Sequence, residues 1–251
     1  MADELKRRIG LPLLTAYGVG VMVGAGIYVL IGAVAAEAGI WAPLAFFMAG
    51  CVAAPTALSY AEFSSRMPDA AGEAVYVGHG FRNEALGVLV GLAIVVAGTV
   101  SAAAVLRGGV GYLAAIVPVS PVVLIVILGG LLVGVALLGA LESLSVAAVF
   151  TAVELFGLAL VVWAGFSVDA VPEIAAPPDP VWGGILAGAV LAVFAFIGFE
   201  DIVNMAEEVR DPLRTLPRAI LMSLVITSLL YALVSWAAVR AVPLERLGAS
   251  E

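Results

Sequence analysis

The sequence is poor in charge and in the side chains of disulfide and metal chemistry. Of its 251 residues only 12% are charged, and it holds one lysine, one histidine (His79) and one cysteine (Cys51). A lone cysteine excludes a disulfide within the chain, and no second histidine or cysteine can share a metal ion with His79. Because Cys51 lies in an apolar run, we expect its thiol to be buried.

Signatures of catalysis and of nucleic-acid binding are also absent from the sequence. It has no phosphate-binding glycine loop and no serine, histidine and aspartate in the order of a hydrolase triad. The formal net charge is −8, whereas nucleic-acid-binding domains carry basic patches. We therefore expect no enzymatic activity, no cofactor and no nucleic-acid partner.

Apolar residues dominate what is present. They make up 63% of the chain, and the mean hydropathy is +1.17, whereas soluble domains hold about 45–50% apolar residues. Crossing a bilayer takes about 20 apolar residues, and the apolar core of the first stretch, about 25 residues, is too long for a signal peptide. We therefore predict an all-α integral membrane protein in the lipid bilayer. Its seven spans, numbered one to seven, are predicted at 12–36, 41–61, 84–106, 121–140, 144–166, 181–205 and 217–239.

The distribution of basic residues predicts the orientation of the chain. Basic residues concentrate on the cytoplasmic side of membrane proteins. With the N-terminus inside, eight basic residues lie at cytoplasmic ends and three at outer ends, so we predict a multi-pass protein of the cell membrane with a cytoplasmic N-terminus. The inner set is Lys6, Arg7, Arg8, Arg66, Arg82, Arg210, Arg214 and Arg218, and the outer set is Arg107, Arg240 and Arg246.

Two spans carry glycines where a continuous helix would avoid them. Span one contains "GVGVMVGAGIYVLIG" (18–32), in which Gly24 and Gly26 flank Ala25. Span six contains "LAVFAFIGFEDIVNMAEEV" (191–209), in which Gly198 precedes two acidic residues. Glycine weakens a helix by roughly 0.5–1 kcal/mol relative to alanine. Interrupted spans in corresponding positions of two halves are typical of inverted-repeat transporters.

A helix break inside a membrane exposes backbone groups that lipid cannot satisfy. Such a break is tolerated only where it lines a protein or water-filled cavity. Amides freed at residues 24–26 would attract a carboxylate, and carbonyls freed near Phe196 and Ile197 would accept hydrogen bonds from an ammonium group. Together the two breaks predict a receptor for a zwitterion such as an α-amino acid.

Four segments resemble the amino acid–polyamine–organocation transporters. The two longest motifs are "GVGVMVGAGIYVLIG" (18–32) and "FAFIGFEDIVNMAEEVRDPLRTLPRAI" (194–220), which resemble the first helix, and the sixth helix with its following loop. "ALSYAEFSSRMPDAAGEAVYV" (57–77) is similar to the end of the second helix, and "LESLSVAAVFTAVELFGL" (141–158) to the start of the fifth. The resemblance runs in order along nearly the whole chain.

The resemblance implies a LeuT-type fold, a five-plus-five inverted repeat with substrate held between helices one and six. Residues 1–166 would form the first repeat, helices one to five, and residues 167–251 the start of the second, helices six and seven. The amides of residues 24–26 would bind the substrate carboxylate, and Phe194 would be an aromatic gate. The implied substrate-binding residues are Val23, Gly24, Ala25, Gly26, Ile27, Phe194, Phe196, Ile197 and Gly198.

Two acidic residues within apolar spans are candidates for coupling or gating. Ionisable groups inside a membrane are costly and therefore suggest function. Glu154 occupies the place of a lysine found in many proton-coupled members of the family, and Glu200 follows the break in span six. Transport driven by an H⁺ or Na⁺ gradient, or by exchange, is expected, and the reversed charge at Glu154 leaves the choice open. The same acids could receive a cationic side chain of the substrate, whereas the apolar residues 23–27 favour a neutral one.

The resemblance also exposes a shortfall, because the family has ten core helices and this sequence has seven predicted spans. The alternatives are a transporter whose remaining helices lie elsewhere, including on a second chain, and a non-transporting fragment or half-transporter subunit. The segment "EEVRDPLRTLPRA" (207–219) between spans six and seven is predicted to be a cytoplasmic connector at the inner mouth, acting as a latch or a structural cap.

Overall fold

The computed structural model describes residues 7–175 and 177–248, and these residues are almost entirely helical. Lys6, which the orientation argument used, lies outside them. The ten α-helices of the described part are α1 Leu11–Ala38, α2 Ala42–Arg66, α3 Gly72–Gly80, α4 Glu84–Ala114, α5 Pro121–Ala136, α6 Ala140–Ser167, α7 Pro172–Ala175, α8 Trp182–Val193, α9 Pro212–Ala241 and α10 Leu244–Gly248. Short 3-10 helices connect some of them, including Phe194–Phe196 and Phe199–Glu208 after α8.

The all-α membrane architecture is confirmed, but not every predicted span is a full-length helix. Five stretches are long and apolar enough to cross a membrane, namely Gly26–Arg66, Glu84–Ala114, Ala140–Ser167, Trp182–Glu208 and Pro212–Ala241. Leu11–Gly24 and Pro121–Ala136 are shorter. Helix α5, with 16 residues, rises about 24 Å at 1.5 Å per residue, which is less than the roughly 30 Å of a hydrocarbon core.

Four of the spans form the buried core of the described chain. Helix α2 packs along α9 and α8, and α1 packs against α8, α9 and α6. The largest fully buried side chains include Phe46, Phe196 and Tyr231, which come from α2, the 3-10 helix after α8, and α9. By contrast, none of the most apolar window of α4 is buried inside the described structure. The two glycine-interrupted spans therefore lie within the core.

The start of span seven differs from the prediction. Helix α9 begins at Pro212, so the predicted connector 207–219 is helical over most of its length. Proline is tolerated in the first turn of a helix because the amide it lacks has no partner there. Pro217 lies further inside α9, where it costs one backbone hydrogen bond without ending the helix.

The burial expected for Cys51 is wrong, because the structure exposes this residue. It lies on α2 between the exposed Val52 and the buried Gly50. An apolar run inside a membrane protein does not distinguish the packed face of a helix from the face turned to lipid.

Candidate functional site

The first break lies at Gly24, within α1. Gly24 has φ −12° and ψ −145°, outside the helical range, while the helix continues on both sides. A Cβ atom built on Gly24 would have nothing within 4 Å. The backbone of α1 is therefore interrupted at the predicted residue, and the space beside it is open. The side chain of Ala25 lies outside the described ones.

The second break lies at Ile197 and Gly198. Helix α8 ends at Val193, Ile197 is extended with ψ 133°, and Gly198 has φ +130°. An L-residue with a side chain rarely adopts such a φ, whereas glycine does so at little cost. The chain then continues as the 3-10 helix Phe199–Glu208. Both predicted interruptions are thus present in the structure.

The two breaks are in direct contact. A Cβ atom added to Gly198 would lie 2.6 Å from Cγ1 of Val21, which precedes the first break. A Cβ atom added to Gly26 would lie 3.0 Å from the Cα atom of Ala195, which precedes the second break. These distances allow no larger residue without movement of the neighbour. Glycines at 26 and 198 therefore permit the close approach of spans one and six.

Tyr231 of α9 joins the carbonyl groups beside both breaks. Its hydroxyl lies 2.6 Å from the carbonyl oxygen of Met22 and 2.9 Å from that of Ala195, and its single hydrogen is shared between these two acceptors. The ring is fully buried and packs edge-on against Phe46 and Phe196. The sequence reasoning missed this residue. The signal was a tyrosine inside apolar span seven, since a buried tyrosine hydroxyl requires a partner.

Glu200 lies at the second break and binds its backbone. Its carboxylate accepts a hydrogen bond of 2.8 Å from the backbone amide of Gly198. A cavity of about 300 Å³ lies between α2 and this break, and its lining includes Glu200, Phe196, Ile197 and Thr56. Residues 23–27 are not among its lining residues. This cavity therefore brings together Phe196, Ile197 and Glu200 of the predicted site. Phe194 and Gly198, also predicted on span six, do not line it.

The remaining predicted site residues divide into an exposed and a buried set. Phe194 and Ile197 are 64% and 55% exposed, so their side chains are free to meet a ligand or a further helix. Val23 and Ile27 are fully packed in the core. Their apolar side chains therefore support the fold of α1, which weakens the argument that they form a neutral wall around a substrate side chain.

Glu154 lies on α6, half-buried beside α1. The same helix packs Thr151 against Gly20 of α1. Within residues 7–175 and 177–248, the ion pairs are Glu62 with Arg66 and Asp211 with Arg214. No basic partner is thus described for Glu154.

A second group of residues supports span six just after its break. Tyr60 of α2 donates a 2.9 Å hydrogen bond to Glu73 of α3, and its ring packs edge-on against Phe199, directly after the second break. Burial raises the pKa of the Tyr76 hydroxyl to about 12, and the negative charges of Glu73 and Asp69 contribute to the increase. Tyr76 is therefore neutral at physiological pH. The sequence reasoning assigned no role to these residues.

Comparison with known proteins gives a consistent result. The family model described as "Amino acid permease" matches residues 9–251. The cationic amino acid transporter 9, chloroplastic, of Arabidopsis thaliana is 32% identical over 91% of this chain and 44% of its own length. An uncharacterized transporter of Mycobacterium tuberculosis is 36% identical over 98% and 55%. A branched-chain amino acid permease of Bacillus subtilis is 30% identical over 92% and 54%.

The chain spans about half the length of these curated relatives. The match nevertheless covers nearly the whole chain, including both breaks and the segments around them. With its all-α membrane architecture and its sequence match, this chain belongs to the amino acid permease family.

Proposed function

We propose that this chain binds α-amino acids at the two helix breaks and takes part in their secondary active transport across the cell membrane. The observation that carries the proposal is the contact between the breaks, with the Tyr231 hydroxyl 2.6 Å and 2.9 Å from the carbonyl oxygens of Met22 and Ala195. A pair of broken helices presents opposite backbone dipoles to one small volume. The N-terminus would lie in the cytoplasm.

The proposed site recognises the two charged groups that every α-amino acid carries. The open backbone at Gly24 offers amides to the carboxylate, and the carbonyls of the second break offer acceptors to the ammonium group. Phe194, exposed beside that break, would cover the bound substrate. Recognition of the backbone part of an amino acid explains why relatives with different named substrates share these spans.

Cationic amino acids are our first choice of substrate class. One relative is named for cationic amino acids and another for branched-chain amino acids, so names alone allow either. Glu154 and Glu200 provide negative charge near the breaks without a described basic partner. Val23 and Ile27, which favoured a neutral side chain, are packed in the core instead.

The substrate test is binding of radiolabelled arginine, lysine and leucine to the purified chain in liposomes. We expect arginine and lysine to bind and to compete with each other. Agmatine, which is arginine without its carboxylate, is the matched control and should compete at least about tenfold more weakly, since hydrogen bonds to a charged group contribute about 1.5–3 kcal/mol. Equal competition by agmatine, or no binding of any amino acid, would contradict the proposed site.

Coupling of transport to H⁺ or Na⁺ forms part of the proposal. Uptake of the bound substrate into liposomes is measured with an imposed pH gradient, with a Na⁺ gradient, and with neither. Glu154→Gln and Glu200→Gln each remove one negative charge while keeping the side-chain size. If Glu200 carries the coupling proton, its variant loses the pH dependence of uptake. An unchanged pH profile in both variants removes these acids from coupling.

A second candidate is a non-transporting fragment, or a half-transporter subunit that needs a second chain. This chain spans 44–55% of the lengths of the relatives. The same liposomes separate the two candidates, because a half-transporter binds amino acids without moving them. Uptake that appears only when the remaining helices are supplied on a second polypeptide would favour the subunit.

A further inference from the structure

An apolar cavity lies between α1, α6 and α9, near the C-terminal ends of α6 and α9. Its volume is about 520 Å³, within the range of about 300–1,000 Å³ that is usual for ligand sites. Every described side chain that lines it is apolar, apart from the hydroxyl of Tyr28. It shares no lining residue with the cavity at Glu200. We call it the α6–α9 cavity.

Small residues on the two long helices create this cavity. Ala164 and Gly165 line it from α6, and Ala237 lines it from α9. A Cβ atom built on Gly165 would lie 2.6 Å from the carbonyl oxygen of Ala237, so the two backbones are in contact there. Among the lining residues, Leu158 is 1% exposed and Val161 is 41% exposed. The cavity therefore has a buried floor and an open rim.

The guanidinium group of Arg240 lies at this rim. Its Nη1 donates hydrogen bonds to the carbonyl oxygens of Gly165 and Val168, and both of these residues line the cavity. Arginine carries five N–H donors, so three donors remain on Nη2 and Nε. Within residues 7–175 and 177–248, no carboxylate pairs with Arg240 and no further acceptor is described for it. A positive charge with available donors therefore lies beside an apolar cavity.

Aromatic residues indicate that the rim lies at the level of the lipid headgroups. Trp163 and Trp236 are exposed, and Trp236 packs edge-on against Phe166. The Arg240 guanidinium lies over the ring of Phe166, 5.3 Å from its centroid. Exposed tryptophans near helix ends are typical of the membrane–water interface. An arginine at this depth reaches the polar headgroups of the lipids.

We propose that the α6–α9 cavity binds a membrane phospholipid, with one acyl chain in the cavity and the phosphate group on Arg240. The apolar lining suits a hydrocarbon chain, and arginine forms paired hydrogen bonds with phosphate. In the proposed orientation this lipid belongs to the outer leaflet. Ile27 and Tyr28 line the cavity shortly after the break at Gly24, so the acyl chain packs against the half of α1 that follows this break.

The first test compares two lipids that differ in the phosphate group, and it requires no amino acid. The purified chain in detergent is mixed with dioleoylphosphatidylglycerol or with dioleoylglycerol, and bound lipid is measured by native mass spectrometry. Dioleoylglycerol should bind at least about tenfold more weakly, because it lacks the charged hydrogen-bond acceptor. Inorganic phosphate should not displace the phospholipid. Equal binding of the two lipids, or displacement by phosphate alone, would overturn the proposal.

The second test fills the cavity and leaves Arg240 unchanged. Ala164 is exposed, so Ala164→Trp places an indole in the cavity without displacing a buried side chain. Binding of dioleoylphosphatidylglycerol should fall at least about tenfold, since the acyl chain loses its apolar contacts. Ala152→Trp, at an exposed position of α6 outside the lining, is the matched control and should bind like the parent. Unchanged binding in Ala164→Trp would contradict the site.

The third test removes the positive charge at the rim. Arg240→Gln should bring the affinities for dioleoylphosphatidylglycerol and dioleoylglycerol to within about threefold of each other, whereas a purely structural role of Arg240 would leave their ratio as in the parent. Arg107→Gln, at an exposed position of α4, is the matched control and should keep the parent's ratio. An unchanged ratio in Arg240→Gln would overturn the phosphate contact. If this variant does not fold, Ala164→Trp still decides whether the cavity holds the lipid.

The same spectra identify other occupants of the cavity. A lipid-free dimer that Ala164→Trp dissociates would assign the cavity to a second copy of this chain. Loss of the bound phospholipid when the family's remaining helices are supplied on a second polypeptide would assign it to one of those helices. Either result would overturn the lipid site. A failure of amino acid binding would contradict the proposed function and leave the lipid site standing.

Discussion

The two helix breaks differ in backbone geometry and in what holds them. The break at Gly198 is held from several sides, because its φ is +130°, its amide donates to Glu200, and Val21 lies against it. The break at Gly24 has nothing within 4 Å of a Cβ position. Both are joined to Tyr231 through the carbonyls of Met22 and Ala195. One break is therefore fixed by the protein, and the other leaves space for a partner.

This difference assigns the breaks different tasks. A fixed break with a satisfied amide gives a rigid wall, because buried polar groups with partners resist rearrangement. An open break inside a membrane is tolerated where a cavity, a ligand or water lies beside it. Changes at Gly198 and at its supports should therefore reduce mainly folding stability, and changes at Gly24 should reduce mainly binding.

The largest effect is expected for Gly198→Ala. A methyl group there would meet Cγ1 of Val21 at 2.6 Å, and the left-handed φ adds strain. Together these should lower the free energy of unfolding by about 3 kcal/mol or more. The change is measured by chemical unfolding in detergent. Gly183→Ala, at an exposed helical glycine with no neighbour within 4 Å, should be neutral or slightly stabilising. Equal stability of the two variants would contradict a fixed second break.

Tyr231→Phe should have the next largest effect. The variant keeps the ring between Phe46 and Phe196 but deprives two buried carbonyls of their donor, which should cost about 1–3 kcal/mol of unfolding free energy. Amino acid affinity should also fall, because the breaks lose their common support. Tyr112→Phe, at an exposed position of α4, serves as the control for loss of a tyrosine hydroxyl. An amino acid affinity equal to that of the parent would show that Tyr231 does not support the binding site.

Two substitutions of Glu200 separate its hydrogen bond to the Gly198 amide from its negative charge. Glu200→Leu leaves the amide of Gly198 without its acceptor and should lower the free energy of unfolding by about 1–2 kcal/mol. Glu200→Gln keeps an acceptor oxygen and should cost less than half as much. Glu245→Gln, at an exposed position, controls for loss of charge. Thermal unfolding of the four proteins checks the order, and equal losses for Leu and Gln would show that charge, not capping, is what matters.

The positions of the breaks could be predicted because local sequence determines them. Gly24 and Gly198 interrupt otherwise helical apolar runs, and glycine is the residue that permits the backbone of the second break. The membrane architecture followed from the apolar runs for the same reason, since a helix satisfies its own backbone within lipid. The helix breaks depend on a few neighbouring residues, and the membrane architecture depends on the lipid solvent that the apolar runs require. Both can therefore be inferred from the sequence.

Contacts between distant residues could not be predicted in the same way. Tyr231 stands 209 residues from Met22, and no local pattern states which carbonyls its hydroxyl will reach. The parallel bridge between Ile9 and Val209 joins residues 200 apart in sequence, and it depends on how spans one and six cross. The start of α9 at Pro212 was missed because proline permits the first turn of a helix as readily as it ends one.

Gly24→Ala is expected to have the smallest effect on stability. It is also the sharpest test of the difference between the two breaks. Since a Cβ atom here meets no neighbour within 4 Å, the free energy of unfolding should change by less than about 1 kcal/mol. The added methyl group would nevertheless occupy the open space beside the break, and amino acid affinity should fall roughly tenfold through loss of the proposed hydrogen bond to the substrate carboxylate. Binding of radiolabelled arginine measured beside thermal unfolding checks both parts. A variant that loses stability but keeps its affinity would reverse the tasks assigned to the two breaks.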